Sequence, residues 1–237
     1  MRINPSMQRR KSTADIGFTL LEILVAIFLF AILISAVFAS FRAIHDSATA
    51  LQQDDRYYET AQAALSRMQC DLESIFITVP ARYKPPGFNE PADAYRVFGE
   101  STSSENRDFS TLRFTSLSHL PMNGDTNEGV AQIVYYVHQS EPNLFALRRA
   151  DQLWPYETIE TNHNNPILCE NVQSLAFKFL NESGEYRDAW DSDSADYDYA
   201  TPRAIEIVLT VGDDTHSLTM KTVADLHVYR DPIAAAQ

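Results

Sequence analysis

Two hydrophobic periods divide this chain. From Ile23 to Phe41 no residue carries a charge, close to the roughly 20 apolar residues that cross a bilayer as a helix. From Ala43 to Thr78 the apolar positions narrow to a stripe. Leu51, Tyr58, Leu65 and Leu72 recur every seven residues, and Ala61, Met68 and Ile75 fill the positions between. This is the pattern of an amphipathic helix. Asp55, Arg56, Glu59, Arg67 and Glu73 fall mostly off the stripe. No Gly or Pro interrupts it before Pro80, which cannot continue a helix and disfavours helix at the residue before it. The pattern predicts one helix from Phe18 to about Ile77, about 90 Å long at 1.5 Å per residue. Its first half is apolar all round. Its second half packs its stripe on the chain's own globular domain.

Residues 80–110 read as an irregular, exposed segment. Pro85, Pro86, Gly87, Pro91 and Gly99 break it, and Ser101 to Asn106 is strongly polar, with room for short strands around Tyr95 to Phe98. Beyond it the period changes to two. Thr111 to Thr115 alternates, Val130 to His138 is β-branched and aromatic, and Asn143 to Arg149 follows a Glu141-Pro142 turn to close a hairpin. Val172 to Leu180 alternates, with Val172, Ser174, Ala176 and Lys178 set against Gln173, Leu175, Phe177 and Phe179. A turn at Glu182-Ser183-Gly184 leads to Tyr186–Trp190, and Ala204–Val211 with His216–Leu226 form a last hairpin. A helix followed by a run of strands predicts an α+β fold with a mainly antiparallel sheet.

Charge adds orientation. Arg2, Arg9, Arg10 and Lys11 precede the apolar run against the single acid Asp15, which places the N-terminus inside and the remainder outside. Glu22 is an acid one turn into the span, and an ionisable group there costs about 3 kcal/mol on insertion scales unless it finds a partner. The run has no small-residue cleavage site after it. The candidate cut, Gly17-Phe18, lies before it, so that cutting would leave the hydrophobic helix on the mature chain. The net charge of −13 repels nucleic acid.

Candidate chemistry is sparse. No Gly-rich phosphate loop exists, and the histidines at 45, 119, 138, 163, 216 and 227 are scattered without metal-site spacing. No Gly-x-Ser-x-Gly elbow is present. Asp188, Asp191, Asp193, Asp196 and Asp198 form an acidic stretch. It fails the EF-hand pattern, because Asp196 stands where Gly is required, and it reads as a solvated loop with Trp190 anchored on the domain. No enzyme activity, cofactor or metal is expected. Cys70 in the helix and Cys169 at a strand start leave a disulfide open, since sequence does not show proximity.

The string Gly17-Phe18-Thr19-Leu20-Leu21-Glu22 after a basic leader resembles the prepilin-type cleavage and methylation motif of type IV pilins and type II secretion pseudopilins. The resemblance implies cleavage between Gly17 and Phe18 by a prepilin peptidase, N-methylation of Phe18, and an assembly role for Glu22. Further on, Arg148-Arg149, Trp154-Pro155, Val172-Gln173-Ser174-Leu175, Trp190 and Pro202-Arg203-Ala204-Ile205-Glu206-Ile207 occur in the order of features seen in J-type minor pseudopilins of type II secretion systems. The segment after Trp190 is longer and more acidic than in that family, and the Ser/Thr stretch at 101–104 has no counterpart.

This resemblance implies a pilin-like fold and a structural subunit at the tip of a short periplasmic pseudopilus, which primes assembly and helps export folded proteins. It implies the I- and K-type minor pseudopilins, the major pseudopilin and prepilin peptidase as partners, a single pass through the bacterial inner membrane, and a C-terminal domain in the periplasm. The expected organisation is a leader at 1–17, a transmembrane helix at 18–41, an amphipathic extension at 42–78 and a β-rich globular domain at 79–237. A minor pilin of a type IV pilus fits the same leader. An uncut N-terminus would instead mark a signal-anchored periplasmic binding protein or enzyme.

Overall fold

The computed structural model describes residues 19–233 except 88, 105–106, 122–127, 155–158, 160 and 214; the side chains of 43, 46–54 and 103–104 also lie outside the description. The chain divides into two compact units, 1–52 and 53–237. A helix α1, Leu20–Glu73, contributes to both. In the first unit its stretch Leu20–Arg42 is long and apolar enough to cross a membrane, and none of that stretch is buried within the chain. The hydroxyl of Ser35 donates to the Ala31 carbonyl at 2.8 Å, which satisfies this polar group inside the helix, as a lipid environment demands.

The second unit begins with residues 53–73 of α1 and continues into strands. These are β1 (Phe98–Ser104), β2 (Arg107–Ser116), β3 (Ala131–Glu141), β4 (Leu144–Leu153), β5 (Ile167–Cys169), β6 (Val172–Leu180), β7 (Tyr186–Arg187), β8 (Trp190–Asp191), β9 (Ala204–Gly212) and β10 (Ser217–Asp225). They form one sheet whose main path runs β10-β9-β6-β2-β3-β4-β5. Among the described residues every pairing is antiparallel except the short parallel contact of Phe109 with Leu175, where β2 meets β6. The class is α+β, as the change of period near residue 80 predicts.

The core lies between the α1 stripe and one face of the sheet. Ala61, Ala64, Leu65, Met68, Leu72 and Ile75 are buried in one cluster with Leu112, Phe114, Ile133, Leu147, Leu175, Phe177, Ile207 and Leu209. The stripe is shifted from the heptad reading, since Tyr58 is exposed and its neighbour Tyr57 packs on the core. A straight helix turns 100° per residue, so Tyr58 falls about 60° to one side of Ala61 and Tyr57 about 40° to the other. The margin of the stripe passes between them.

The helix ends at Glu73, four residues before the expected Ile77, because strand β2 captures its last carbonyls. Ser116 Oγ donates to the Asp71 carbonyl at 2.8 Å and to that of Ser74 at 3.1 Å. Phe76 N–H donates to Thr115 O at 2.8 Å, and Leu117 N–H to Ser74 O at 3.0 Å. These bonds satisfy the orphan groups of a helix end and convert the chain to extended pairing one turn early.

The segment 80–110 is more ordered than its composition suggests. Tyr83 and Val97 are buried, and the polar residues Ser101 to Ser104 belong to β1, which pairs with β2 from Phe98↔Arg113 to Ser104↔Arg107. Backbone pairing makes this strand, and apolar alternation does not. Gly99 is required where it stands, because a Cβ there would lie 2.1 Å from the Phe179 ring. Strand β6 also departs from simple alternation. Val172 and Leu175 are both buried, because the register against β9 shifts between Val172 and Ser174. A bulge there turns Val172 to the same face as the Leu175 set.

Candidate functional site

The polar start of the apolar helix is built on Thr19. The Glu22 N–H donates to Thr19 Oγ1 at 3.3 Å and to Thr19 O at 3.0 Å. Thr19 therefore acts as the N-cap of α1, closing one of the open donors of its first turn. The sequence reading passed over this residue. Its signal was a Thr three residues before a Glu at the head of an apolar run, the order of a capping box. Glu22 is exposed in the first turn, where the helix dipole favours a negative charge. That placement lowers the cost of a carboxylate and leaves it facing outward from the helix. Gly17 and Phe18 lie outside the described residues.

In the β-rich unit a second polar centre sits in the core. Asp71 on α1 is fully buried, and so are Tyr135 on β3 and Arg149 on β4, each 1% exposed or less. Asp71 Oδ2 accepts from Arg149 Nε at 2.7 Å and from the Tyr135 hydroxyl, while Oδ1 accepts from Arg67. Arg149 Nη1 reaches Asp151 Oδ2 at 2.5 Å, and its Nη2 donates to Ser118 O at 2.9 Å. Asp151 also pairs with His119 Nδ1 at 2.8 Å and accepts from Leu120 N–H at 2.9 Å. Burial by itself pulls the Arg149 guanidinium down, but the hydrogen bond to Asp71 and the charge of Asp71 outweigh it and hold the group above its ordinary value. Burial, then the charge of Asp71, pushes Tyr135 well above its ordinary value. Both groups keep their neutral-pH forms, so Tyr135 donates to Asp71 as a phenol and Arg149 as a guanidinium.

A third centre ties down the acidic stretch. Arg230 is buried and donates from Nη2 to Ser192 O at 2.5 Å, from Nη1 to Thr78 O at 2.9 Å and from Nε to Tyr199 O at 2.6 Å. Its guanidinium lies 3.4 Å above the Tyr83 ring, whose hydroxyl donates to Asp193 Oδ1 at 2.5 Å. The stretch is thus only partly solvated. Asp193 is buried and Asp191 pairs with Arg96, while Asp188, Asp196 and Asp198 are exposed. Trp190 is buried and donates to Ala200 O at 3.0 Å, the anchor expected of it. Among the described residues no group of three or more His, Cys, Asp or Glu is placed to hold a metal ion.

Cys70 and Cys169 are free thiols, the first exposed and the second buried. Cys169 lies against Thr60, Sγ to Oγ1 at 3.7 Å. Cys70 is ten residues further along the helix, about 15 Å at 1.5 Å per residue, which is too far for a bridge.

Residues 39–219 match the family of type II secretion system protein J, which is more than half of the chain. Residues 14–38, which include Gly17, Phe18 and Glu22, match the prokaryotic N-terminal methylation motif. Comparison with curated proteins gives no match. Among solved structures the chain is similar to a type IV-like pilin from Thermus thermophilus, with 12% identity over 71% of this chain and 94% of that one and a TM-score of 0.40. With a methylation motif at the head of an apolar helix and an α+β unit behind it, the chain belongs to the protein J family of the type II secretion system, the family of its J-type minor pseudopilins.

Proposed function

We propose that this minor pseudopilin is made as a precursor, cut between Gly17 and Phe18 by prepilin peptidase and N-methylated on Phe18. The methylation motif at 14–38 supports this. In this reading residues 1–17 are the leader, 18–41 the span, 42–78 the helical extension and 79–237 the β-rich domain. The helix anchors the chain once in the inner membrane, with the C-terminal domain in the periplasm. Subunits meet through their apolar helices, and Glu22 pairs with the free amine of a neighbouring Phe18. A helix displaced along its neighbour would leave both charges unpaired in lipid, so the pair selects one axial offset.

The observation that carries the reading is the family match at 39–219, joined to an apolar helix none of whose residues 20–42 is buried within the chain. The partners are the I- and K-type minor pseudopilins, with which the chain caps the pseudopilus and primes its growth on the major pseudopilin. The chain acts by assembly and not by catalysis, a reading that the family match supports. The test is in-membrane cross-linking from photoreactive residues placed along α1 in cells that carry the whole secretion machinery. Adducts to the I- and K-type subunits are expected. Adducts confined to the major subunit of a type IV pilus would contradict the assignment.

A further inference from the structure

The α1 stripe is nearly self-similar along the helix. Ala61, Leu65, Met68, Leu72 and Ile75 repeat at steps of four and three, so a slide of one turn, about 5 Å, that brings in the residue four earlier puts Tyr57, Ala61, Ala64 and Met68 in the places of Ala61, Leu65, Met68 and Leu72. Hydrophobic contact alone therefore specifies the face of the helix better than its axial position. The main-chain bonds beyond Glu73 add little discrimination, since any residue can remake them in a shifted pairing.

Asp71 is different. It lies at the margin of the stripe, fully buried, and receives donors from three elements: Arg67 on α1, Tyr135 on β3 and Arg149 on β4. A shift of four residues in one direction would bring Arg67 to this place and set one guanidinium against another. In the other direction it would bring Ile75, leaving Arg149 buried without a carboxylate. A shift of seven would bring Ala64, with the same consequence. Each alternative strands a desolvated charge, the most costly of buried errors.

We propose that the Asp71–Arg149–Tyr135 cluster is a register lock that fixes which turn of α1 the sheet grips. Such a cluster contributes specificity more than stability, because well-packed apolar groups of the same volume hold an interior together as well as an ion pair does. This inference does not require the pseudopilin reading.

The test compares the mature full-length chain in detergent with an apolar variant carrying Asp71→Leu, Tyr135→Phe and Arg149→Met. Spin labels at Gln62→Cys on α1 and at the exposed Ser183→Cys in the turn after β6, set well apart along the helix direction because Gln69 of α1 meets Thr222 of β10, in a chain lacking its own thiols, report the helix position by electron–electron resonance. The parent should give one distance. The apolar variant, with unchanged helix content, should add a second population displaced by about one turn, roughly 5 Å. A single distance equal to that of the parent would overturn the proposal.

Should the apolar variant lose its fold, Asp71→Asn in a Cys70→Ser chain serves instead, read through the buried Cys169 thiol that Thr60 covers. A helix out of register uncovers this thiol. Its reaction with a disulfide reagent should then exceed what global unfolding allows by about tenfold, the mark of a minor register that has become populated. Reactivity that only follows global unfolding would refute the lock. Neither readout depends on secretion or processing, so failure here leaves the pseudopilin assignment standing.

Discussion

At the scale of single residues, Glu22 and Tyr135 show two ways in which a polar group is kept in apolar surroundings. Glu22 sits in the first turn of α1 and is exposed, so its carboxylate is free to meet a neighbour. Glu22→Ala should leave cleavage and membrane insertion intact and should impair entry into the pseudopilus, measured as secretion in a complementation assay with cross-linking to the other minor pseudopilins. A variant that assembles and secretes like the parent would reduce Glu22 to a local helix-end charge. Tyr135 is instead closed in by the core and hydrogen-bonds Asp71. Burial and then the Asp71 charge raise its value well above the ordinary 10.0. The folded state therefore favours the neutral phenol. The stability it contributes is complete below about pH 10 and is lost as the pH rises beyond that. Tyr135→Phe should cost about 1 kcal/mol at neutral pH through the lost hydrogen bond and should lessen the fall in stability on going to pH 11. Urea melts at both pH values measure this, and an equal alkaline loss in parent and variant would contradict it.

At the scale of elements, Gly99 marks a close junction between β1 and β6. A methyl at this position would meet the Phe179 ring, so Gly99→Ala should destabilise the domain by about 1–3 kcal/mol, the usual cost of overpacking. A thermal melt decides it, and an unchanged midpoint would mean that the ring yields freely. Gly99 also shows where the sequence was hard to read. The segment around it has Pro, Gly and Ser in abundance, and β1 is held by backbone pairing with β2, which leaves no hydrophobic alternation to find. Strand β9 was legible because burial on one face imposes a period of two, whereas β3 and β4 bury long runs on both faces and were legible by their β-branched, aromatic and apolar content. The helix was legible for the same reason as β9, at a period of 3.6. Its end was not, since Ser116 and Thr115 of another element determine it. Asp71 was illegible in the same way. Its nearest sign is Arg67 one turn before, while Arg149 lies 78 residues away. The methylation motif at 14–38 was legible because basic residues, Gly17-Phe18, Glu22 and an apolar span form one contiguous string. Thr19 belonged to that signal and was missed because its role is to cap rather than to carry charge.

At the scale of the whole molecule, the chain joins an uncovered apolar helix to a domain with its own core. Residues 53–73 bury their stripe within the β-rich unit, so a chain truncated to begin at Arg42 should remain soluble and fold cooperatively. Circular dichroism and a single unfolding transition would support this, and aggregation or loss of the strand signal would contradict it. The central claim is that the full chain is a processed pseudopilin. It is tested most directly by the intact mass of the protein extracted from membranes of cells containing prepilin peptidase. The account predicts a mature chain that begins at Phe18 and carries one added methyl group on its N-terminal amine. A chain that retains residues 1–17, or one that begins after Phe41, would contradict it.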